Sequence, residues 1–233
     1  MNGLAIDTST YVLGVAVIKD GEVAGEIITN IKKNHSVRLM TAIRTLLEEV
    51  EIKPQDLDKI IVTEGPGSYT GVRIGVTTGK TLAWSLKIPI VGVSSLEVLA
   101  QNGYYFDGFI SPFIDARRGQ VYTGLYGMEN GVFKNIKEDR IVLHKDWLEE
   151  LKSSGKQVLF LSTDMDKHKQ EIKEILGYKA QFPFITGNLL RPSELARLGM
   201  KKETEVKDIH TFTPNYIRLA EAEAKWLANQ KDQ

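Results

Sequence analysis

Residues 3–29 read G-L-A-I-D-T-S-T-Y-V-L-G-V-A-V-I-K-D-G-E-V-A-G-E-I-I-T, and this segment predicts how the fold begins. Its three apolar runs, at residues 3–9, 12–19 and 22–29, are typical of β-strands. The turn between the last two runs contains an Asp-Gly pair, which favours a tight hairpin. We therefore expect a three-stranded meander at the start of the chain.

The same order of elements follows in each half of the sequence. After the first meander, we expect helices at residues 36–50, 70–86 and 94–101, alternating with strands at 59–63 and 89–92. A second meander is expected at residues 109–114, 120–127 and 132–136, then a strand at 157–161 among helices at 146–152, 166–176 and 192–201. A final helix at residues 214–229 would open with Thr213 and Pro214 and bury Tyr216, Ala220, Ala224 and Leu227.

This duplicated order predicts an α/β protein with the actin-like fold of the ASKHA class. In that fold each of two lobes opens with a three-stranded meander, and alternating helices and strands follow. We expect the lobes to comprise residues 1–103 and 104–233, with the boundary near residues 102–107. A single dinucleotide-binding domain does not account for two opening meanders.

The composition limits the partners of the chain. Lys and Arg together number 30, as do Asp and Glu, so the net charge is zero. A protein that binds nucleic acid alone usually carries a basic excess, so we expect any contact with RNA to be shared with another subunit. Cysteine is absent, which excludes disulfides and thiolate metal ligands. No apolar run approaches the length of about 20 residues that spans a membrane, and the N-terminus lacks a leader pattern, so we expect a cytoplasmic protein.

Two polar turns are candidates for a nucleotide site, because this fold class binds nucleotide phosphates between its lobes. The first turn contains Asp7, Thr8 and Ser9, whose carboxylate and hydroxyls could meet a hydrated metal ion and phosphate oxygens. The second, D-A-R-R-G at residues 115–119, offers two arginines to an anion or to a partner's carboxylates. Both segments are also compatible with ordinary polar turns. Residual binding of ATP or ADP is left open, and no cofactor is expected to be required.

The glycine-rich region at residues 64–81 matches neither common phosphate-binding fingerprint. The G-x-G-x-x-x-G string that starts at Gly65 is one residue too long for the dinucleotide motif, and G-V-T-T-G-K-T is one residue short of a P-loop. Gly71, Gly75 and Gly79 instead recur every fourth residue on one helix face, although each glycine costs about 1 kcal/mol in a helix interior. This pattern indicates that another element packs very closely on the glycine face. That element is either the lobe's own sheet or first helix, or a helix of another subunit.

The titratable residues give little support for metal or nucleophilic chemistry. The four histidines, His35, His144, His168 and His210, are scattered, and no pair has the spacing of a helical zinc motif. We therefore expect surface or capping histidines and no metal site. Asp164 and Asp166 are better explained as the start of a helix than as a catalytic pair.

Several longer motifs resemble those of the bacterial TsaB (YeaZ) family across nearly the whole chain. They are L-A-I-D-T-S-T, N-H-S-V-R-L, E-G-P-G-S-Y-T-G-V-R-I-G, I-D-A-R-R-G-Q-V-Y and the late P-N-Y-I-R. The resemblance implies a role in forming threonylcarbamoyladenosine on the adenosine beside the anticodon of tRNAs that read codons starting with A. It also implies pairing with the catalytic relative TsaD, which the small ATPase TsaE joins.

The same resemblance implies that this chain is not an enzyme on its own. TsaD holds its metal with two histidines in an H-x-x-x-H pattern, and the matching positions here are Ser95 and Leu99. A hydroxyl and an isobutyl group cannot replace two imidazoles. An independent ATP-dependent phosphotransferase of the actin-like fold is the alternative, and a zinc peptidase a weaker one.

The family pairs through helices of the first lobe, which implies an interface on the helices at residues 36–50 and 70–86. The residues assigned to it are Met40, Ile43, Gly71, Gly75, Thr78 and Gly79. On this hypothesis a Gly75→Leu change would block pairing and leave the fold largely intact. A homodimer in the absence of the partner is left open, and tRNA is expected to be contacted only through the complex.

Overall fold

The first sheet is built around a fully buried strand. The computed structural model describes residues 1–202 and 209–217. Its first five strands are β1 (Gly3–Asp7), β2 (Leu13–Lys19), β3 (Glu22–Thr29), β4 (Lys59–Gly65) and β5 (Ile90–Ser94), in the order β3-β2-β1-β4-β5. β1 pairs antiparallel with β2 and parallel with β4. Because helices cover both faces of the sheet, Leu4, Ala5 and Ile6 of β1 are all fully buried.

The predicted hairpin between β2 and β3 is confirmed. Lys19 pairs with Glu22, and Asp20 and Gly21 both have positive φ, at 53° and 89°. Two consecutive residues with positive φ form the turn whose twist matches that of the strands it joins. The Asp-Gly pair therefore sets the register of the hairpin next to the turn, and the register shifts by one residue between Ile18 and Val17, where Val17 pairs with Gly25.

Three helices complete the first half. They are α1 (Leu39–Glu49), α2 (Tyr69–Leu86) and α3 (Ser95–Ala100). The buried side of α1 carries Leu39, Ile43, Leu46 and Leu47, as its apolar stripe predicts. The predicted N-terminal extension of α1 to residue 36 is wrong by one turn, because its N-cap is Arg38.

The second half repeats the topology of the first. It contains β6 (Phe109–Asp115), β7 (Gln120–Glu129), β8 (Val132–Leu143), α4 (His144–Ser153), β9 (Val158–Leu161), α5 (Met165–Leu176) and β10 (Ala180–Gln181). The sheet order β10-β9-β6-β7-β8 matches the first sheet strand for strand, with β6 in the place of β1. The α/β actin-like arrangement predicted from the repeated pattern is confirmed.

β8 is longer than its apolar pattern indicates. The prediction ended at residue 136, whereas β8 continues to Leu143, which pairs with Gln120 of β7. Its second part, K-E-D-R at residues 137–140, is polar although only Glu138 is exposed, and Asp139 accepts hydrogen bonds from Tyr126 OH and Ser94 Oγ. Backbone pairing with β7 therefore forms a strand where side-chain alternation gives no signal.

The sixth helix, α6 (Pro192–Lys201), connects the second half back to the first sheet. A Cβ atom on Gly199 would lie 2.3 Å from Ile61 of β4, so α6 lies directly on that sheet. Lys59 Nζ donates to the carbonyl oxygens of Gly199 and Lys202, at 3.3 and 3.2 Å, where α6 ends. The expected division at residue 103 places this helix in the second lobe, and that division stays a prediction.

The expected final helix is wrong at its start. Residues 214–217 are not helical, and residues 218–233 lie outside the described part of the chain. Asn215 N donates to Glu64 O at 2.7 Å, which holds this segment against the end of β4. Tyr216 is 37% exposed instead of buried. Across residues 1–202 and 209–217, no helix is both long and apolar enough to span a membrane.

Candidate functional site

A cleft of about 620 Å³ lies between the two sheets, and both predicted nucleotide turns border it. The turn after β1 contributes Ser9 and Thr10, and the turn after β6 contributes Asp115, Ala116 and Arg117. The equivalence of β1 and β6 explains this position, because each turn ends the central strand of its sheet. Lys32, Lys33, His35, Ser68, Tyr69, Asp164 and Lys167 are among the other lining residues.

Asp7 does not face this cleft. It is fully buried, and its Oδ1 accepts hydrogen bonds from Ser9 N at 3.0 Å, Ser9 Oγ at 2.7 Å and Thr63 Oγ1 at 2.7 Å. Burial raises the pKa of Asp7, although these hydrogen bonds oppose the rise. Asp7 therefore joins the ends of β1 and β4. Of the three residues assigned to the nucleotide loop, Asp7, Thr8 and Ser9, only Ser9 lines the cleft.

The loop that precedes α2 covers the turn after β1. Ser68 N donates to Ser9 O at 2.7 Å, and a Cβ on Gly67 would lie 2.2 Å from the same oxygen. Thr8 Oγ1 donates to Gly71 O at 2.7 Å. These bonds use an amide and hydroxyls that could otherwise meet phosphate oxygens, so the first turn is occupied by the protein's own backbone.

The second turn holds its carboxylate in an ion-pair network. Lys167 Nζ lies 2.8 Å from Asp115 Oδ2 and 2.9 Å from Asp164 Oδ1. Burial would raise the pKa of Asp115, but Lys167 and the amide of Arg117 outweigh that effect and hold it below its usual value. The pKa of Lys167 is raised by the same two carboxylates. Asp164 is the N-cap residue of α5, as expected, but its side chain makes no capping bond because Lys167 binds it.

A side-chain hydrogen bond crosses the cleft from the turn after β1 to the segment after β9. Tyr11 OH, next to the turn after β1, donates to Thr163 O at 2.8 Å, just after β9. Lys32, Lys33 and Arg117 border the same space and are exposed. The cleft therefore has cationic side chains at its border and a hydrogen bond that holds its two sides together. This combination suits an anionic ligand.

Ser95 and Leu99 do not line the cleft. Both are fully buried at the start and end of α3, which packs between the two sheets. Leu99 belongs to an apolar cluster with Val93, Ile110 and Leu161. At the two positions that the resemblance aligns with metal-binding histidines, the side chains are therefore part of the core.

The glycine face of α2 packs against its own lobe. A Cβ atom on Gly71 would lie 2.1 Å from Thr8 O, one on Gly75 2.6 Å from Thr8 Oγ1, and one on Gly79 2.5 Å from Val62 Cγ1. No side chain fits at those distances. The assignment of Gly71, Gly75 and Gly79 to a partner interface is therefore wrong, and close packing on β1 and β4 explains them.

The outer side of the same lobe has an apolar groove of about 690 Å³ between α1 and α2. Met40, Ile43 and Leu47 line it from α1, and Leu82 and Leu86 line it from α2. Met40 is 51% exposed, whereas Ile43 is buried. Arg44, Glu48, Glu51 and Lys53 form a charged rim. Thr78, which was also assigned to the interface, is half-buried and is not one of the lining residues.

The expectation that the histidines are surface residues is wrong for three of the four. His35 is buried and its Nε2 lies 2.8 Å from Thr10 O, which ties the first turn to the segment before α1. His144 and His168 are buried and in contact, with their Nδ1 atoms 3.0 Å apart. Glu171 Oε2 lies 3.1 Å from His144 Nδ1. Burial, together with the charge of His168, lowers the pKa of His144 below its usual value.

Sequence spacing misses this histidine pair because 24 residues separate its members. The helical stripes contain the signal that could have found it. His144 belongs to the buried stripe of α4 with Trp147, Leu148 and Leu151, and His168 to that of α5 with Met165, Ile172 and Leu176. A histidine on each of two neighbouring apolar stripes predicts that the two rings meet in the core.

Comparisons with known proteins agree with these observations. The family model TsaD, tRNA N6-adenosine threonylcarbamoyltransferase, matches residues 22–226. The TsaB protein of Bacillus subtilis, a tRNA threonylcarbamoyladenosine biosynthesis protein, is 57% identical over 231 residues, which cover 99% of this chain and 100% of that relative. YeaZ from Pseudomonas aeruginosa is 25% identical with a TM-score of 0.74, over 92% of this chain and 99% of that one.

A more distant structure shows the breadth of the fold. The ROK hexokinase from Thermus thermophilus has a TM-score of 0.50 at 9% identity, over 86% of this chain and 100% of that one, and it supports the actin-like fold alone. The full-length match to the Bacillus subtilis protein is the more specific result. This chain therefore belongs to the TsaB (YeaZ) family of tRNA threonylcarbamoyladenosine biosynthesis proteins.

Proposed function

We propose that this chain is a non-catalytic scaffold or activator subunit for threonylcarbamoyl transfer to the adenosine beside the anticodon in tRNAs that read codons starting with A. It pairs with a TsaD-like catalytic subunit, and a TsaE-like ATPase joins the pair. The observation that carries this proposal is the apolar groove between α1 and α2, on a chain whose family is named for this modification.

The groove has the features of a helix-binding surface. Its floor is apolar, its rim carries charges of both signs, and both of its walls are helices. Met40, half of whose surface is exposed, can be buried by an amphipathic helix of a partner, and the rim can fix the orientation of that helix. The docking surface of the proposed pairing is thus the α1–α2 groove, defined by Met40, Ile43, Leu47, Leu82 and Leu86.

The cleft supports a subunit that does not catalyse the transfer alone. Asp115 and Asp164 are carboxylates that line the cleft, and Lys167 binds both of them and lowers the pKa of Asp115. A general base with a low pKa removes protons poorly from a substrate hydroxyl, which disfavours the phosphotransferase alternative. Ser95 and Leu99 disfavour a zinc peptidase for want of ligands at those positions. No cofactor is required by this chain in the proposed role.

The charge balance supports an indirect role toward tRNA. With 30 basic and 30 acidic side chains, this chain supplies little of the phosphate neutralisation on which tRNA affinity depends. The tRNA is therefore contacted through the complex. A homodimer that uses the same groove would compete with the TsaD-like partner.

Reconstitution tests the proposal. Purified TsaD-like and TsaE-like proteins are incubated with tRNA, ATP and an activated threonylcarbamoyl donor, with and without this chain. We expect modified adenosine, measured by mass spectrometry of digested tRNA, only when this chain is present. Equal modification without it, or ATP hydrolysis by this chain alone at the rate of the full mixture, would contradict the proposal.

A matched pair of variants separates the groove from other exposed apolar sites. Met40→Glu places a charge in the groove, and Met128→Glu places the same charge on the exposed end of β7, where Met128 is 42% exposed. We expect Met40→Glu to weaken pairing with the TsaD-like subunit at least tenfold, as measured by light scattering and calorimetry. We expect Met128→Glu to pair normally. Equal pairing by both variants would show that the groove is not the docking surface.

A further inference from the structure

Three Lewis bases converge between α4 and α5, outside the cleft and outside the α1–α2 groove. They are His144 at the start of α4, and His168 and Glu171 one turn apart on α5. One ligand-type atom from each lies within 4.8 Å of those of the other two. We propose that His144, His168 and Glu171 bind a zinc ion that ties α4 to α5.

The distances match those of ligands around one small ion. The two Nδ1 atoms are 3.0 Å apart, and His144 Nδ1 is 3.1 Å from Glu171 Oε2. Ligands bonded to zinc at about 2.0–2.1 Å in tetrahedral geometry are about 3.3 Å from one another. A small outward movement of the side chains therefore admits the ion, and Glu171, whose side chain is 43% exposed, provides the solvent-facing side for entry.

Hydrogen bonding alone leaves this cluster poorly satisfied. A proton on His144 Nδ1 can point at His168 Nδ1 or at Glu171 Oε2, but not along both directions. The Nε2 atoms of both rings are buried and have no hydrogen-bond partner. A metal ion between the two Nδ1 atoms accepts a lone pair from each imidazole and one from the Glu171 carboxylate at the same time.

The surroundings resemble the support that metal-binding histidines usually have. When His168 Nδ1 holds the ion, its proton lies on Nε2, and Asp115 Oδ1 is 3.7 Å from that atom. At this distance Asp115 makes no hydrogen bond to the ring, but its negative charge favours a proton on Nε2 and so leaves Nδ1 free to bind the ion. The ring of Phe113 packs against both imidazoles, with centroid distances of 5.3 and 5.2 Å, and shields the rings from water. Through Asp115 the ion would also stabilise the second turn of the cleft.

The ligand set favours zinc over magnesium and calcium. Two imidazoles and one carboxylate suit zinc, whereas magnesium and calcium prefer oxygen ligands alone. In this arrangement a water molecule supplies the fourth ligand. The ion acts by joining the two helices, and the α1–α2 groove plays no part in holding it.

Glu171→Gln tests the site with little disturbance of the fold, because its side chain is partly exposed and the change is isosteric. Its matched control is Glu174→Gln, an exposed glutamate one turn further along α5. Metal-free full-length chain is titrated with zinc in competition with a chromophoric chelator. We expect one zinc ion per chain, binding at least tenfold weaker in Glu171→Gln, and unchanged binding in Glu174→Gln.

A second measurement identifies the ligands directly. Cobalt substituted for zinc should give the intense visible absorption of a tetrahedral site, and zinc should shift the imidazole NMR signals of His144 and His168 but not that of His210. Binding that is equal in both glutamate variants, shifts at other histidines, or no binding of zinc in competition with the chelator would overturn the proposal. These measurements use this chain alone, so their outcome is independent of its role in tRNA modification.

Discussion

A Cβ atom added to Gly75 would lie 2.6 Å from Oγ1 of Thr8. The same oxygen donates a hydrogen bond to Gly71 O at 2.7 Å, so α2 is bonded to the turn after β1 where a side chain would otherwise keep them apart. The glycines on this face therefore serve the contact between a helix and a turn of the same lobe. That contact positions the turn beside the cleft. The α1–α2 groove lies on the outer side of the lobe, away from the glycine face.

The first prediction concerns this contact. Gly75→Leu should lower the free energy of unfolding by about 2–3 kcal/mol, because the new side chain has no space between α2 and Thr8. Thr77→Leu places the same side chain on the exposed side of α2 and should change stability by about 0.5 kcal/mol or less. Urea denaturation of both variants measures the difference. Equal stability of the two would show that Gly75 does not depend on close packing.

The short distance between Gly75 and Thr8 revises the expectation that Gly75→Leu blocks pairing and spares the fold. The sequence pattern correctly shows that something packs closely on the glycine face. It does not show what packs there, because a helix of another chain and a turn of the same chain require the same small residues. Only the distance to Thr8, a residue far away along the chain, separates the two interpretations.

Other parts of the fold were predictable to different degrees. The meanders follow from local signals, since the Asp-Gly turn and the apolar runs are contiguous. The contact of His144 with His168 depends on how two amphipathic helices pack, which spacing in the sequence does not specify. The inward position of Asp7 depends on Thr63 of β4, so the D-T-S turn alone does not show whether its carboxylate faces the cleft.

The second prediction concerns the tether across the cleft. Tyr11→Phe removes the hydrogen bond to Thr163 O and should lower the free energy of unfolding by about 1 kcal/mol. Because that bond joins the two halves of the chain, we also expect faster amide hydrogen exchange at the turns after β1 and β9. Tyr178→Phe is the control, since Tyr178 is 82% exposed. Unchanged exchange in Tyr11→Phe would show that the cleft is held by other contacts.

The third prediction concerns the acid dependence of stability. Burial raises the pKa of Glu26, but hydrogen bonds from Ser193 and from Arg191 outweigh it, so the folded-state pKa lies below the ordinary value of 4.5. The ionised form therefore stabilises the fold above the unfolded-state pKa, and this contribution is lost as the pH falls through the folded-state pKa. Because Glu26 is partly exposed, we expect a contribution of about 1 kcal/mol or less.

Glu26→Gln checks this contribution. At pH 7 the variant should be less stable than the unsubstituted chain, and the difference should shrink as the pH falls below the ordinary glutamate pKa of 4.5 and through the lower folded-state pKa. Glu22→Gln, at an exposed position on the same strand, controls for the general effect of removing an acidic group. Thermal denaturation across this pH range gives both differences. A Glu26→Gln deficit that stays constant with pH would contradict the assignment.

The fourth prediction concerns residual nucleotide binding in the cleft. The cationic side chains that border the cleft include Lys33 and Arg117, whereas Asp7 is buried beneath the turn. We expect ADP to bind weakly, and we expect Lys33→Glu and Arg117→Glu each to reduce its affinity about tenfold, which corresponds to about 1.4 kcal/mol. Lys134→Glu, an exposed site on β8 away from the cleft, should leave the affinity unchanged.

A fluorescent ADP analogue measures these affinities, and Asp7→Asn separates the cleft from the turn beneath it. Burial raises the pKa of Asp7 and so favours its neutral carboxyl form, which the isosteric amide resembles. Asp7→Asn should therefore preserve the fold and leave the affinity for ADP within about twofold of that of the unsubstituted chain. A large loss in Asp7→Asn, with circular dichroism unchanged, would instead place a metal-bridged phosphate at the first turn. Equal losses in Lys33→Glu and Lys134→Glu would mean that net charge, and not the cleft, determines the affinity for ADP.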